Sequence, residues 1–177
     1  MTAASEYGRA LFMLTEERGT TETALSDVMA ADEIFKNNSK YARLLDTPAL
    51  PKSEKLKLAD EAFSSLNEDV TNLIKILCER HSVHEFSAVR KTFCALYDDS
   101  RGIERVEAIT AVSMTDSQIS RLKEKLEASG GKTIIVKNTV CPEILGGVKL
   151  RYSGRQLDGS VKTRLLKFEE SLKNTVI

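Results

Sequence analysis

Pro142-Glu143-Ile144-Leu145-Gly146-Gly147-Val148-Lys149-Leu150-Arg151-Tyr152, followed by Gly154, Asp158-Gly159-Ser160-Val161 and Arg164-Leu165, carries the clearest structural message in the chain. Val148, Leu150 and Tyr152 alternate with Lys149 and Arg151, the period-two pattern of a half-buried strand. Gly146-Gly147 allows a sharp entry, a bulge or close packing before it. Asp158-Gly159 reads as a turn. Ser160 is placed to cap a last helix, whose Val161, Leu165, Phe168 and Leu172 fall on one face. The stretch therefore reads as strand, turn, helix, with no catalytic side chain at its centre.

Upstream of it the same period recurs. Val106, Ala108, Thr110 and Val112 predict a strand after Gly102. Thr115-Asp116-Ser117-Gln118 has capping-box spacing for a helix that buries Ile119, Leu122 and Leu126 and stops at Gly130-Gly131. Thr133-Ile134-Ile135-Val136 is a β-branched run that predicts a buried strand. Residues 105–177 thus form a small strand-helix-strand-strand-helix domain.

Residues 1–104 follow a helical period instead, and predict a six-helix bundle. Tyr7, Ala10, Leu11 and Leu14 make the first stripe, and Gly19 ends that helix. Leu25, Val28, Met29 and Ile34-Phe35 belong to the second, and Tyr41, Leu44 and Leu45 to a short third. Pro48 and Pro51 bracket a turn before a fourth helix with Leu56, Ala59, Phe63 and Leu66. Asn67 caps a fifth, with Val70, Leu73, Ile74 and Leu77 as its stripe. Ser82-Val83-His84-Glu85 has capping-box spacing for a sixth, built on Phe86, Val89, Phe93, Leu96 and Tyr97.

Composition sets bounds. Of 177 residues, 41% are hydrophobic and 29% charged, enough for a core and a soluble surface. No apolar run nears the ~20 residues that span a bilayer. Met1-Thr2-Ala3-Ala4-Ser5-Glu6 resembles neither a signal peptide nor an Arg-rich transit sequence. Three scattered cysteines, Cys78, Cys94 and Cys141, fit a reducing compartment. The net charge is +0, but residues 1–104 hold 13 Lys and Arg against 18 Asp and Glu, a net of −5. Residues 105–177 hold 13 against 8, a net of +5, which suggests two domains with different partners.

Chemistry is hard to place. Gly131-Lys132-Thr133 resembles the end of a phosphate-binding loop, but Leu126 stands where that motif needs its first glycine. A helix C-cap explains the glycines. Cys78, His81 and His84, with Glu85 as a fourth ligand, have a spacing that admits a metal, although structural zinc sites use more cysteine. We therefore expect no metal, no cofactor and no catalytic residue.

What does stand out is apolar excess on two helices. Phe12 and Met13 lie off the stripe of the first, and Ile76 and Cys78 off the stripe of the fifth. Either these two helices are the most central, or they border a groove that receives an amphipathic helix from a partner.

Leu145-Gly146-Gly147-Val148, a short strand, then Asp158-Gly159-Ser160-Val161 with Arg164-Leu165 resembles the C-terminal signature of the delta-subunit family of bacterial F-type ATP synthase. The mitochondrial relative of that family is the oligomycin-sensitivity-conferring protein. Tyr7-Gly8-Arg9-Ala10-Leu11 is similar to the family's Tyr-Ala-x-Ala-Leu, with Gly8 as a departure. Leu44-Leu45, Pro48 and Lys52 to Lys55, and Asn72-Leu73-Ile74-Lys75-Ile76-Leu77, extend the likeness over nearly the whole chain. Cys141 departs from the family's frequent Asp, and Lys162-Thr163 from its Arg-Gly.

The resemblance implies a non-catalytic stator subunit. Its N-terminal domain would bind the N-terminal helix of an alpha subunit through Tyr7, Ala10, Leu11, Leu73, Ile76 and Leu77. Its C-terminal domain would bind the C-terminal region of the peripheral-stalk b subunit. Together they would resist rotation during ion-driven ATP synthesis, with the protein peripheral on the cytoplasmic face of a bacterial membrane. Two other readings remain. One is a nucleic-acid-binding regulator using the basic C-terminal half; the other is a small enzyme with His81 or His84 as base.

Overall fold

Helix signals and strand signals segregate along the chain, and so do the elements they form. The computed structural model describes residues 2–152 and 154–166. It divides into two compact units, residues 1–98 and 99–177. The fold is mainly α with a smaller α/β part, as expected. A division after residue 104 would cut the first strand, which starts at Ile103.

The first unit holds α1 (Ala3–Glu17), α2 (Thr21–Asn37), α3 (Ser39–Asp46), α4 (Lys52–Phe63), α5 (Glu68–Glu79), a 3-10 turn (Val83–Glu85) and α6 (Phe86–Ser100). Their apolar stripes meet in one core, in which Val28, Phe63, Val70, Ile74, Leu77 and Phe93 are wholly enclosed. Phe35 sits at its centre, with ring centroids 5.2 Å from both Phe63 and Phe86. Aromatic pairs at this spacing and tilt add to the burial they share.

Local caps set some helix ends. Asn67 Oδ1 accepts the N–H of Asp69 at 2.9 Å and starts α5 as predicted. The predicted capping box at Ser82 does not cap α6, because Ser82 makes no side-chain cap bond. The Asp46 carboxylate at the end of α3 does that work. It accepts the N–H of Val83 at 2.7 Å and of His84 at 3.1 Å.

Gly8 is a buried residue of α1. A Cβ there would lie 2.7 Å from the Val89 carbonyl oxygen and 2.8 Å from Thr92 Cβ, so the glycine lets α1 lie directly on α6. Phe12, one turn along α1, meets Phe93 of α6 edge to face at 5.9 Å.

The second unit contains β1 (Ile103–Thr110), α7 (Asp116–Gly130), β2 (Thr133–Val140), β3 (Gly147–Tyr152) and β4 (Arg155–Ser160). The sheet order is β2-β1-β3-β4, with β1 parallel to β2 and antiparallel to β3, and β3 antiparallel to β4. Gln118 Oε1 accepts the N–H of Thr115 at 3.0 Å, so the predicted box does start α7. Gly131, at φ +63°, closes it. Leu122 and Leu126 of α7 pack on Val106, Ala108, Ile134 and Leu150.

Three local readings change. Asp158-Gly159 is not a turn but part of β4, paired with Lys149 and Val148. The chain reverses at Gly154 instead, at φ +74°. Gly147 permits the pairing, since a Cβ there would stand 2.5 Å from the Gly159 carbonyl oxygen. β2 is half-buried rather than buried, with Ile134 inside and Ile135 exposed, because it is an edge strand covered on one face. Val112 lies beyond β1 and is 75% exposed. Residues 161–166 are helical, as Ser160 predicted, while Phe168 and Leu172 lie outside the described residues.

Candidate functional site

The apolar excess on α1 and α5 is split by the fold between core and surface. An ion pair of 2.7 Å between Arg18 and Asp69 joins the C-terminal end of α1 to the N-terminal end of α5. Leu11, Leu73 and Leu77 turn into the core, at 3%, 6% and 0% exposure. Phe12 and Cys78, which the helical stripes leave over, are also buried. They fill the core rather than a groove.

The rest remains outside. On α1, Ala10 and Met13 are exposed, Leu14 is partly so, and Tyr7 is half-buried at the margin of the core. On α5, Ile76 is 43% exposed. Tyr7, Ala10 and Leu14 recur at i, i+3 and i+7, so they share a face of α1. The bundle thus leaves apolar surface uncovered on the two helices that the sequence singled out. Of the six residues proposed to contact a partner, Tyr7, Ala10 and Ile76 are available at the surface. Leu11, Leu73 and Leu77 are buried in the core and are not available at the surface.

The histidines are otherwise engaged. His84 Nδ1 lies 2.9 Å from Asp46 Oδ2. His81 Nδ1 lies 2.9 Å from Lys55 Nζ and 3.0 Å from the Asp46 carbonyl oxygen. Burial pushes the Cys78 thiol up to about 11, against the pull of the Lys55 charge. It is neither a ready nucleophile nor a ready thiolate ligand. Among the described residues no group of three His, Cys, Asp or Glu side chains could hold a metal ion.

A second charged cluster ties α2 to α6. Asp32 of α2 is buried, with the Ser87 hydroxyl and the Lys36 ammonium each donating to it at 2.5 Å and the Arg90 guanidinium ion-paired with it at 2.7 Å. Burial raises the Asp32 carboxyl, but the bonds from Lys36 and Ser87 and the charge of Arg90 outweigh it. The net shift is downward. This is a structural clamp between two helices of the first unit.

In the second unit the face of the sheet away from α7 carries mixed charge. Arg151 pairs with Glu107 at 3.4 Å, and Lys149 with Asp158 at 3.2 Å. Hydrogen bonds from the Ser160 hydroxyl and N–H hold the Asp158 carboxyl well below the usual aspartate range. The basic excess is therefore broken up by carboxylates, unlike the continuous stripe that tracks a nucleic-acid backbone. Around the β3–β4 end, Leu145 is 83% exposed, and Leu157, Val161, Leu165 and Leu166 are exposed too. Among the described residues no helix is long and apolar enough to cross a membrane.

Comparison with known proteins covers the same span. The family model for the ATP synthase delta (OSCP) subunit matches residues 3–172. The ATP synthase subunit delta of Clostridioides difficile is 30% identical over 175 residues, covering 98% of this chain and 97% of that protein. Its counterpart in Moorella thermoacetica is 30% identical over 170 residues, covering 96% of each. A chain in the cryo-EM structure of the Toxoplasma gondii mitochondrial ATP synthase hexamer shares the fold, with a TM-score of 0.77 at 20% identity. That match covers 97% of this chain and 98% of that one.

Proposed function

We infer the function from descent and surface together: the chain belongs to the ATP synthase delta (OSCP) subunit family. From that premise we propose that it works as a non-catalytic stator subunit. Its first unit takes the N-terminal helix of an alpha subunit on the catalytic head. Its second unit takes the C-terminal region of the peripheral-stalk b subunit. Bound at both ends, it resists rotation of the head during ion-driven ATP synthesis, as a peripheral component on the cytoplasmic face of a bacterial membrane.

The observation that supports this most is the uncovered apolar surface of Ala10, Met13, Leu14 and Ile76 on two adjoining helices. A partner helix laid on it would remove that surface from water, at about 25 cal/mol per Å² of apolar area. Such helix-in-groove docking reads as anchors spaced i, i+3, i+4 and i+7. The exposed Leu145, Leu157, Val161 and Leu165 offer the second unit a comparable surface.

Calorimetric titration with a synthetic peptide of the cognate alpha N-terminal helix tests the first contact. We expect saturable binding to the native chain and none to Ala10→Asp, which sets a charge in the contact without touching the core. Equal affinity in the folded variant would remove α1 from the interface.

A further inference from the structure

Lys55 is 2% exposed, yet among the described residues no carboxylate forms an ion pair with it. Among the described residues its ammonium has one hydrogen-bond partner, Nδ1 of His81 at 2.9 Å, and no ion pair. Buried lysines are ordinarily paired with an opposite charge, because the interior solvates them poorly. The ammonium borders a half-open pocket of about 300 Å³ beside the start of α4. Leu50, Pro51 and Leu56 give this pocket an apolar wall, and Lys52 and Glu79, already paired at 3.0 Å, stand at its edge.

His81 is the second unusual feature. It occupies the left-handed region at φ +54°, just past the end of α5, where glycine is the ordinary residue. Its Nδ1 lies within reach of both the Lys55 ammonium and, at 3.0 Å, the Asp46 carbonyl oxygen. One nitrogen cannot serve both. Accepting from the ammonium requires a lone pair on Nδ1, whereas donating to the carbonyl requires a proton there.

We propose that this pocket binds a small monocarboxylate with an apolar stem. The carboxylate accepts from the Lys55 ammonium and supplies the missing opposite charge. The stem lies on Leu50, Pro51 and Leu56. His81, released from Lys55, takes the tautomer with the proton on Nδ1 and donates to Asp46. With Lys52 already paired to Glu79, the Lys55 ammonium leaves one positive charge to balance, so a monocarboxylate fits better than a phosphate dianion. The site is separate from the partner-docking surface and does not depend on it.

The ring nitrogens report the event directly, and the chain has only two histidines. The full-length ¹⁵N-labelled chain is titrated with sodium butyrate at pH 7.5, against sodium chloride at equal ionic strength. The expected result is a saturable shift at His81 but not at His84, with the proton moving to Nδ1. Lys55→Met, which keeps the buried stem and removes the charge, is expected to bind at least tenfold more weakly. N-acetyl-leucine in place of butyrate distinguishes the carboxylate of a chain terminus, which would bind it more tightly, from a free acid, which would not. No saturable change in the native chain overturns the proposal whether or not the variant folds. So does an equal response to chloride, or tighter binding of inorganic phosphate than of butyrate.

Discussion

The backbone N–H of Val83 donates to the Asp46 carboxylate at 2.7 Å, so the turn that begins α6 is capped by a residue 37 positions earlier in the chain. The same carboxylate accepts the N–H of His84 at 3.1 Å and meets its ring at 2.9 Å. One side chain therefore anchors the end of α3 to the entry of α6. Asp46→Ala leaves two backbone donors without their acceptor. We expect it to cost about 1–3 kcal/mol in urea unfolding. Ser82→Ala, at the position the local pattern favours, is expected to stay within about 0.5 kcal/mol.

Gly8 should resist improvement. Alanine is the better helix former by about 1 kcal/mol. Its Cβ would nonetheless stand 2.7 Å from the Val89 carbonyl oxygen, forcing α1 off α6. Gly8→Ala is expected to lower stability by about 1–3 kcal/mol, the range for overpacking. A Cm equal to or above the native value would show that the two helices can part cheaply.

Surface and support on α1 and α5 should separate in experiment. Ile76→Asp, at a 43% exposed position, is expected to weaken binding of the alpha-helix peptide at least tenfold while leaving the unfolding midpoint nearly unchanged. Leu73→Ala, at 6% exposure, is expected to cost about 2–5 kcal/mol of stability, with peptide affinity reduced only through loss of folded protein. Paired denaturation and calorimetry on both variants decide it.

The Asp32 clamp gives the first unit a pH dependence of known sign. The folded-state carboxyl titrates below its unfolded value, so its contribution is fully present above about pH 4 and is lost as pH falls through the lower, folded value. Asp32→Asn is expected to cost roughly 3 kcal/mol at pH 7, where it strips the partner from Arg90 and Lys36. The difference between native and variant should shrink as the pH drops from 5 towards 2. A difference constant over that range would mean the carboxylate charge contributes nothing.

Thiol chemistry offers a last check. With its thiol pushed up to about 11 and its side chain enclosed, Cys78 is expected to escape alkylation by iodoacetamide at pH 8 until the first unit unfolds. Mass mapping of the labelled sites in native and urea-treated protein reads the outcome.

Periodicity and caps were enough to lay out most elements of this chain. The stripes of α1, α2, α5 and α6, the Asn67 cap, the box at Thr115 and the stop at Gly131 are all local matters, decided within one or two turns. β4 was hidden because Asp158-Gly159 carries turn residues. Only its pairing with Lys149 and Val148, made possible by Gly147, turns it into a strand. The site was legible in outline: the surplus of apolar residues on α1 and α5 is written in their spacing.

Which of those residues stay uncovered is not. Phe12 and Cys78 are as apolar as Met13 and Ile76, and equally off the stripe. Phe12 is buried because Phe93 of α6 lies over it, while Met13 has no such neighbour and is 63% exposed. A helix's own sequence specifies the directions in which its side chains point. What waits in each direction belongs to distant segments, brought close by packing, and so do the Asp46 cap of α6 and the meeting of the Lys55 ammonium with His81.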